Sequence, residues 1–443
     1  MTLTIPLSDS GGRHTHLQGW RFGGLTKLDV ILASILLGPL TVLQIAGRTP
    51  SVYWVDVIVA VFAIGAFAKT CVRPDEGSFR LPRVAVWAIA YALLGAASMV
   101  LSDDLLASIA LLKLRIVPIA VFFLTIRTIG TKTKIENCFR NIVVFGCVLA
   151  AIGLYNWYMF ASGLQVLGEE YGPKDMLQLS FGRSNYLASM FVLIIPIGVA
   201  FIRMRKGRLS SIAFLGALLL VTIALVFTQS RGALISLSLG FMAWGLLSLF
   251  RSFSGRKVAA TAMTIGLVLA SAPFFWGKMP EDVRVGLETA FNLWWSEARL
   301  GNYGGGRTEL WVAAVRGAWQ SNFLGIGLGN EAIYYSQAGL TQSAHNLYLE
   351  TLLQTGIVGF VLLMGVLFGF GATLWRLWKK SPAADRPLVG AVLATFVIAL
   401  VNNAQEPSFW GPQYSCLFWM LMGACYSWRR LLPSTQPPQR IPI

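Results

Sequence analysis

The chain has 443 residues, of which 55% are hydrophobic and only 13% charged, against about a quarter charged in ordinary soluble domains. Apolar runs recur along its length with no polar half, which excludes a soluble multidomain enzyme, a disordered chain and a nucleic-acid binder. The net charge of +16 therefore has to be read through its distribution before its sign implies any partner.

Residues 1–27 are polar and Gly-rich, hold His14 and His16, and carry no small-residue cleavage site before the first apolar run; they read as a cytoplasmic tail and not a signal peptide. A spanning helix needs about 20 largely apolar residues. Twelve stretches qualify: 28–46, 52–68, 84–101, 105–126, 139–160, 185–202, 212–227, 233–250, 258–276, 347–374, 387–404 and 413–432. The expected fold is an all-α integral membrane protein. Helices one to nine fill 28–276, a large periplasmic loop fills 277–346 with short helices at 281–295 and 308–320, helices ten to twelve fill 347–432, and 433–443 is a cytoplasmic tail. Loops that long are uncommon unless functional, so chemistry is expected outside the cytoplasm.

Alternating the connections between two sides places 25 Lys/Arg on the side of the termini and 9 opposite, with Lys113 and Arg115 inside helix four. That asymmetry predicts cytoplasmic termini and anionic headgroups as neighbours of the basic side. The five cysteines fall on the inner side or within helices, so no disulfide framework is implied.

Of three histidines, only His345 lies on the outer side, in Ser343-Ala344-His345-Asn346-Leu347-Tyr348-Leu349-Glu350, where a polar loop enters helix ten. The free N–H groups of a helix start disfavour an imidazolium and suit a neutral base, although a histidine there could equally satisfy an orphan backbone group. Thr228-Gln229-Ser230-Arg231-Gly232-Ala233 is a tight turn that puts Arg231 at the membrane surface, where a guanidinium is costly without an anionic partner. Gly304-Gly305-Gly306-Arg307 sets a second arginine behind a glycine run able to wrap an anion, before a helix start at Thr308. Two arginines and two helix starts suit a diphosphate, because Arg grips phosphate oxygens in bidentate fashion. The competing readings are interface snorkelling and a plain flexible loop.

Gly325-Ile326-Gly327-Leu328-Gly329-Asn330 follows no strand and lies outside the cytosol, so it reads as a turn and not a dinucleotide loop. Arg183, Asn185 and Tyr186 join the outer rim at the start of helix six, either as site residues or as helix caps. Lys113 and Arg115 are expensive in lipid, so at least one should face a polar cavity, unless carbonyls or an acid such as Asp103 or Asp104 neutralise them. Trp311, Trp319, Tyr334 and Tyr335, with Trp294 and Trp295, read as interfacial aromatics more readily than as a saccharide platform.

Taken in order, Gln229-Ser230-Arg231-Gly232-Ala233, Gly306-Arg307-Thr308, Gly325 to Asn330 and His345-Asn346-Leu347-Tyr348-Leu349-Glu350 resemble the O-antigen ligase and polymerase superfamily. The resemblance implies a glycosyltransferase of the Gram-negative inner membrane that needs neither metal nor cofactor. Its donor would be undecaprenyl-diphosphate-linked O-antigen, its acceptor lipid A-core, and its active site periplasmic. It assigns functional weight to Arg231, Arg307 and His345. Arg231, Arg307 and Arg183 would bind the donor diphosphate, and Asn185, Tyr186, Asn346, Tyr348, Lys113 and Arg115 would serve substrate binding. A polymerase extending lipid-linked repeats is the alternative. A protein O-oligosaccharyltransferase, which commonly carries further sequence, and a transporter, which would need more intramembrane acids than Asp56, stand behind it.

Overall fold

A computed structural model describes residues 26–36, 41–45, 48–72, 81–161, 184–204, 207–251 and 297–432. The expected helices at 258–276 and 281–295, together with Arg183, lie outside the described residues. In chain order the elements are α1 (Lys27–Leu36), strands β1 (Thr41–Ile45) and β2 (Arg48–Tyr53), α2 (Trp54–Val72), α3 (Arg83–Ser98), α4 (Leu105–Thr128), α5 (Lys132–Ala161), α6 (Ser184–Met204), α7 (Arg208–Phe227) and α8 (Arg231–Arg251). After the undescribed stretch come α9 (Glu297–Gln320), α10 (Glu331–Gln337), α11 (Leu347–Lys380), α12 (Arg386–Asn403) and α13 (Pro412–Leu431).

Among the described residues, 8 helices are long and apolar enough to cross a bilayer, namely α3 to α8, α11 and α12. The molecule is thus mostly helical, as the apolar runs predict. The run at 28–46 is a correction. Instead of one spanning helix it gives the short α1 followed by an antiparallel hairpin in which Thr41 pairs with Tyr53 and Ile45 with Arg48. The helix α1 ends at Leu36. The β-branched Thr41, Val42 and Ile45 then favour a strand.

In lipid, helix association depends on close packing, which small residues permit. A Cβ at Gly390 of α12 would run into the Trp244 indole of α8, and one at Gly423 of α13 would stand 2.7 Å from Thr125 of α4. These contacts seat α8 on α12 and α4 on α13, while α6 packs against α5, α7 and α12 in the middle of the bundle. At one end, Lys132 at the start of α5 pairs with Asp385 beside the start of α12 at 2.6 Å. The opposite end gathers the starts of α4, α6, α8, α11 and α13 with the ends of α3, α7 and α12.

The helix α11 is broken at Gly356 (φ 66, ψ −166), and the Gly-rich segment before α10 occupies the break. Ile326 and Gly327 donate their N–H groups to the carbonyls of Leu353 and Gln354 at 2.9 and 3.1 Å, while Ile357 donates to Phe323 O at 2.9 Å. Gly325, Gly327 and Gly329 all have φ between 90 and 96, a backbone open to glycine and strained for other residues. Asn330 finishes the seam, giving its amide N–H groups to Leu101 O and Ile326 O, both at 2.8 Å, and accepting from Asp103 N at 2.9 Å. The segment is the expected turn. Its task is to supply the hydrogen bonds that the broken helix loses.

Candidate functional site

His345 precedes the cap of α11. The Asn346 side chain accepts from the N–H groups of Tyr348 and Leu349 at 3.0 and 3.2 Å, satisfying two of the orphan donors of the helix start. Tyr348 Oη donates to Leu400 O at 2.8 Å, tying this start to the end of α12. Trp311 Nε1 donates to Ala344 O at 2.8 Å, tying it to α9. His345 itself holds φ 50, a left-handed conformation costing about 1–3 kcal/mol for a side chain of this kind, of the sort that concentrates at active sites.

The imidazole is buried, with 7% exposure, and not on an exposed helix start. Its Nδ1 lies 3.4 Å from Glu406 Oε1, and its Nε2 lies 3.2 Å from the side-chain oxygen of Gln342. Glu406 is buried and also accepts from Asn185 Nδ2 at 3.1 Å. A carboxylate on Nδ1 fixes the proton there and turns the Nε2 lone pair outward. Gln342 is exposed, and its amide can present either oxygen or nitrogen to Nε2. The ring therefore has the buried Glu406 carboxylate at Nδ1 and the exposed Gln342 at Nε2.

Glu406 is held by its surroundings. Its N–H donates to Asn402 O at 2.8 Å. The Asn402 amide donates to Ser189 Oγ and Ser408 Oγ at 2.8 and 3.1 Å, and Asn403 accepts from Phe409 N at 3.1 Å while donating to Tyr414 Oη at 3.1 Å. This network joins α6, α12 and α13 under the site. In the sequence, Glu406 stands out only as an acid near an outer helix end, and no local spacing links it to His345.

Arg231 is the first residue of α8 and is half-buried. The turn before it has Gln229 at φ 53, and Ser230 Oγ accepts from Ala233 N at 3.4 Å. A Cβ at Gly232 would lie 2.7 Å from Gln405 Oε1, so this turn rests on the residue next to Glu406. Arg307 lies on α9, one turn before Trp311 and so on the same face as the indole that holds Ala344.

Arg307 also brings a correction. The glycines Gly304, Gly305 and Gly306 are part of α9, which begins at Glu297 and not at Thr308. Each glycine costs a helix about 1 kcal/mol without blocking it as proline would. Their N–H groups belong to the helical ladder, so they form no anion cradle.

The remaining rim residues that are described have protein partners. Asn185 serves Glu406, Asn346 caps α11, and Tyr348 holds Leu400. The Tyr186 ring packs within 3.2 Å of where a Cβ of Gly411 would be. Lys113 pairs with Asp56 at 2.6 Å and lies 4.9 Å over the Tyr53 ring. Arg115 donates to Gln354 Oε1 at 3.0 Å and stacks 4.4 Å over Tyr91. The acid that neutralises Lys113 is thus Asp56, while Asp104 caps α4 by accepting from Ala107 N at 3.0 Å. Burial raises the Glu331 carboxyl of α10 above its usual range, with the N–H groups of Glu331 and Gly329 and the Arg115 charge drawing it back. Of the aromatics, Trp319 is exposed whereas Tyr335 is buried.

No curated protein matches the chain. Residues 216–364 match the model of the family described as O-Antigen ligase. The matched stretch contains Arg231, Arg307, the Gly325 to Asn330 seam and His345, and leaves Asn185 and Glu406 outside it. The family covers both ligases and polymerases, glycosyltransferase-like enzymes that work on lipid-linked glycans. Residues 216–364 of this mostly helical membrane protein are thus similar to the O-antigen ligase family domain.

Proposed function

We propose that the protein is an O-antigen ligase of the Gram-negative inner membrane, moving a glycan from undecaprenyl diphosphate to lipid A-core at the periplasmic face. The observation that carries the mechanism is the asymmetry around His345, with buried Glu406 on Nδ1 and exposed Gln342 over Nε2. An acceptor sugar hydroxyl takes the place of Gln342 against Nε2. Its oxygen attacks the anomeric carbon of the donor while its proton passes to Nε2. The bond from that carbon to the diphosphate oxygen breaks, the configuration inverts, and undecaprenyl diphosphate leaves with the bonding pair.

Glu406 steadies the imidazolium as it forms and keeps the ring in one tautomer, the task a carboxylate performs behind a catalytic histidine elsewhere. Arg231 and Arg307 approach the site from two segments that touch the His345 rim, and they take the negative charge growing on the leaving diphosphate. Lys113, Arg115, Asn346 and Tyr348 have structural partners that account for them, so we assign them to the frame of the site and not to substrate.

Purified protein in nanodiscs, given lipid-linked O-antigen and either rough lipopolysaccharide or a second lipid-linked repeat, tests the assignment. Extension of the lipopolysaccharide supports the ligase, and extension of the repeat replaces it with a polymerase. The sidedness is tested in cells by cysteine labelling at Ser343 and at Ala384, the second residue being exposed at the opposite end of the bundle. Labelling of Ser343→Cys from outside the inner membrane and of Ala384→Cys only after permeabilisation is the expected result, and the reverse would place the site in the cytosol.

A further inference from the structure

At the end of the bundle remote from His345, the start of α1, the end of α2, the end of α4 and the start of α5 enclose a cavity of about 440 Å³. Four cations line it, one from each helix: Lys27, Lys69, Arg127 and Lys134. Two helices begin here and two end, so their dipoles offset one another and the side chains set the sign of the potential. Asp29 of α1 faces Thr26 and Asn141, accepting from Thr26 Oγ1 at 2.7 Å and from Asn141 Nδ2 at 2.5 Å. Arg127 forms part of the wall through a hydrogen bond to Ala66 O at 3.0 Å.

The floor is apolar, supplied by Gly65, Ala66 and Leu124. On the adjoining face of α2, Val61, Ile64 and Phe67 are 60%, 68% and 72% exposed. Such an exposed apolar stripe is a surface for acyl chains, and it runs up to the basic cavity. A free anion would use only the cations, whereas a lipid uses both features.

We infer that this cavity binds the phosphate headgroup of an anionic phospholipid, with the acyl chains lying along Val61, Ile64 and Phe67. Basic recesses between helices on the cytoplasmic side of membrane proteins suit such headgroups, and each Lys or Arg adds to the attraction. The cavity does not belong to the proposed transfer site, which lies at the other end of the bundle. Its occupant would hold α1 and α2 against α4 and α5.

Native mass spectrometry of the purified full-length protein, with dioleoyl phosphatidylglycerol or dioleoyl phosphatidylcholine added at matched concentrations, tests the inference. The wild type should retain phosphatidylglycerol on the order of tenfold better than phosphatidylcholine. K69Q/K134Q should lose most of that preference, while K379Q/K380Q, which removes two basic residues from the end of α11, should keep it. Equal retention of both lipids by the wild type would overturn the site without reference to any variant. So would a K69Q/K134Q protein that binds phosphatidylglycerol as well as the wild type. Millimolar inorganic phosphate should leave the bound lipid in place; its displacement would reassign the cavity to a soluble anion and overturn the lipid assignment.

Discussion

Two loops that meet α11 use their polar groups in opposite ways. In the segment from Gly325 to Asn330, backbone and side chain are spent on the protein itself: the break at Gly356 is filled, and Asn330 bonds Leu101, Ile326 and Asp103. At the rim formed by residues 342–350 and 402–411, the network runs inward from Ser189 through Asn402 and Glu406 and ends at an imidazole whose other nitrogen faces a surface glutamine. Both segments carry left-handed residues, glycines in the first and His345 in the second. Glycine accepts that backbone at little cost, whereas a histidine there stores strain that the surrounding contacts have to hold. A motif whose donors and acceptors are closed on themselves builds the frame, and one left with an outward-facing nitrogen is able to do chemistry.

Breaking the rim should cost catalysis first. His345→Gln keeps a hydrogen-bonding group but cannot take a proton, and glycan transfer should fall by about 10²–10⁴-fold with little change in unfolding temperature. Transfer near the wild-type rate would reduce His345 to a positioning role. Arg231→Ala and Arg307→Ala should each lower transfer by roughly 10²–10³-fold, with Lys at either position recovering only part because the bidentate fork is lost. Full activity of both alanine variants would leave the arginines as membrane-surface anchors.

Breaking the seam should instead cost stability. At Gly325, where φ is 90, a Cβ would stand 2.7 Å from Gln354 O, so Gly325→Ala should destabilise by about 1–3 kcal/mol. The check is thermal unfolding of the purified protein beside transfer per folded molecule. A variant that unfolds normally but no longer transfers would move this segment into the active site. The smallest effect is expected at Gln342, which the acceptor displaces: Gln342→Ala should change kcat by no more than about threefold, since an exposed side chain contributes little. A loss comparable to that of His345→Gln would show that Gln342 belongs to the chemistry.

The parts legible in the sequence were those encoded locally. Apolar runs located α3 to α8, α11 and α12, and the Gly325 to Asn330 segment was read as a turn because no strand precedes it. The same run-length reasoning failed at 28–46, where β-branched residues such as Thr41, Val42 and Ile45 favour a strand and the apolar stretch gives a short helix and a hairpin. It failed again at Gly304 to Gly306, because neighbouring residues carry the helix through glycines that looked like a loop. Partners distant in sequence left no local trace. Glu406 lies 61 residues from His345, and Gln354 lies 239 from Arg115. A pattern in one segment cannot disclose which buried carboxylate or amide the fold will set against it.

The pairing of His345 with Glu406 is the centre of the account, and a double-mutant cycle measures it directly. Transfer rates are compared for the wild type, His345→Gln, Glu406→Gln and the double variant in the same nanodiscs. If Glu406 acts through the imidazole, Glu406→Gln alone should lose about 10²–10⁴-fold, the cost expected when a carboxylate no longer holds the tautomer. The double variant should then be no slower than His345→Gln. Losses that multiply, or a Glu406→Gln protein that transfers at the wild-type rate, would show that the two residues act independently and would contradict the mechanism.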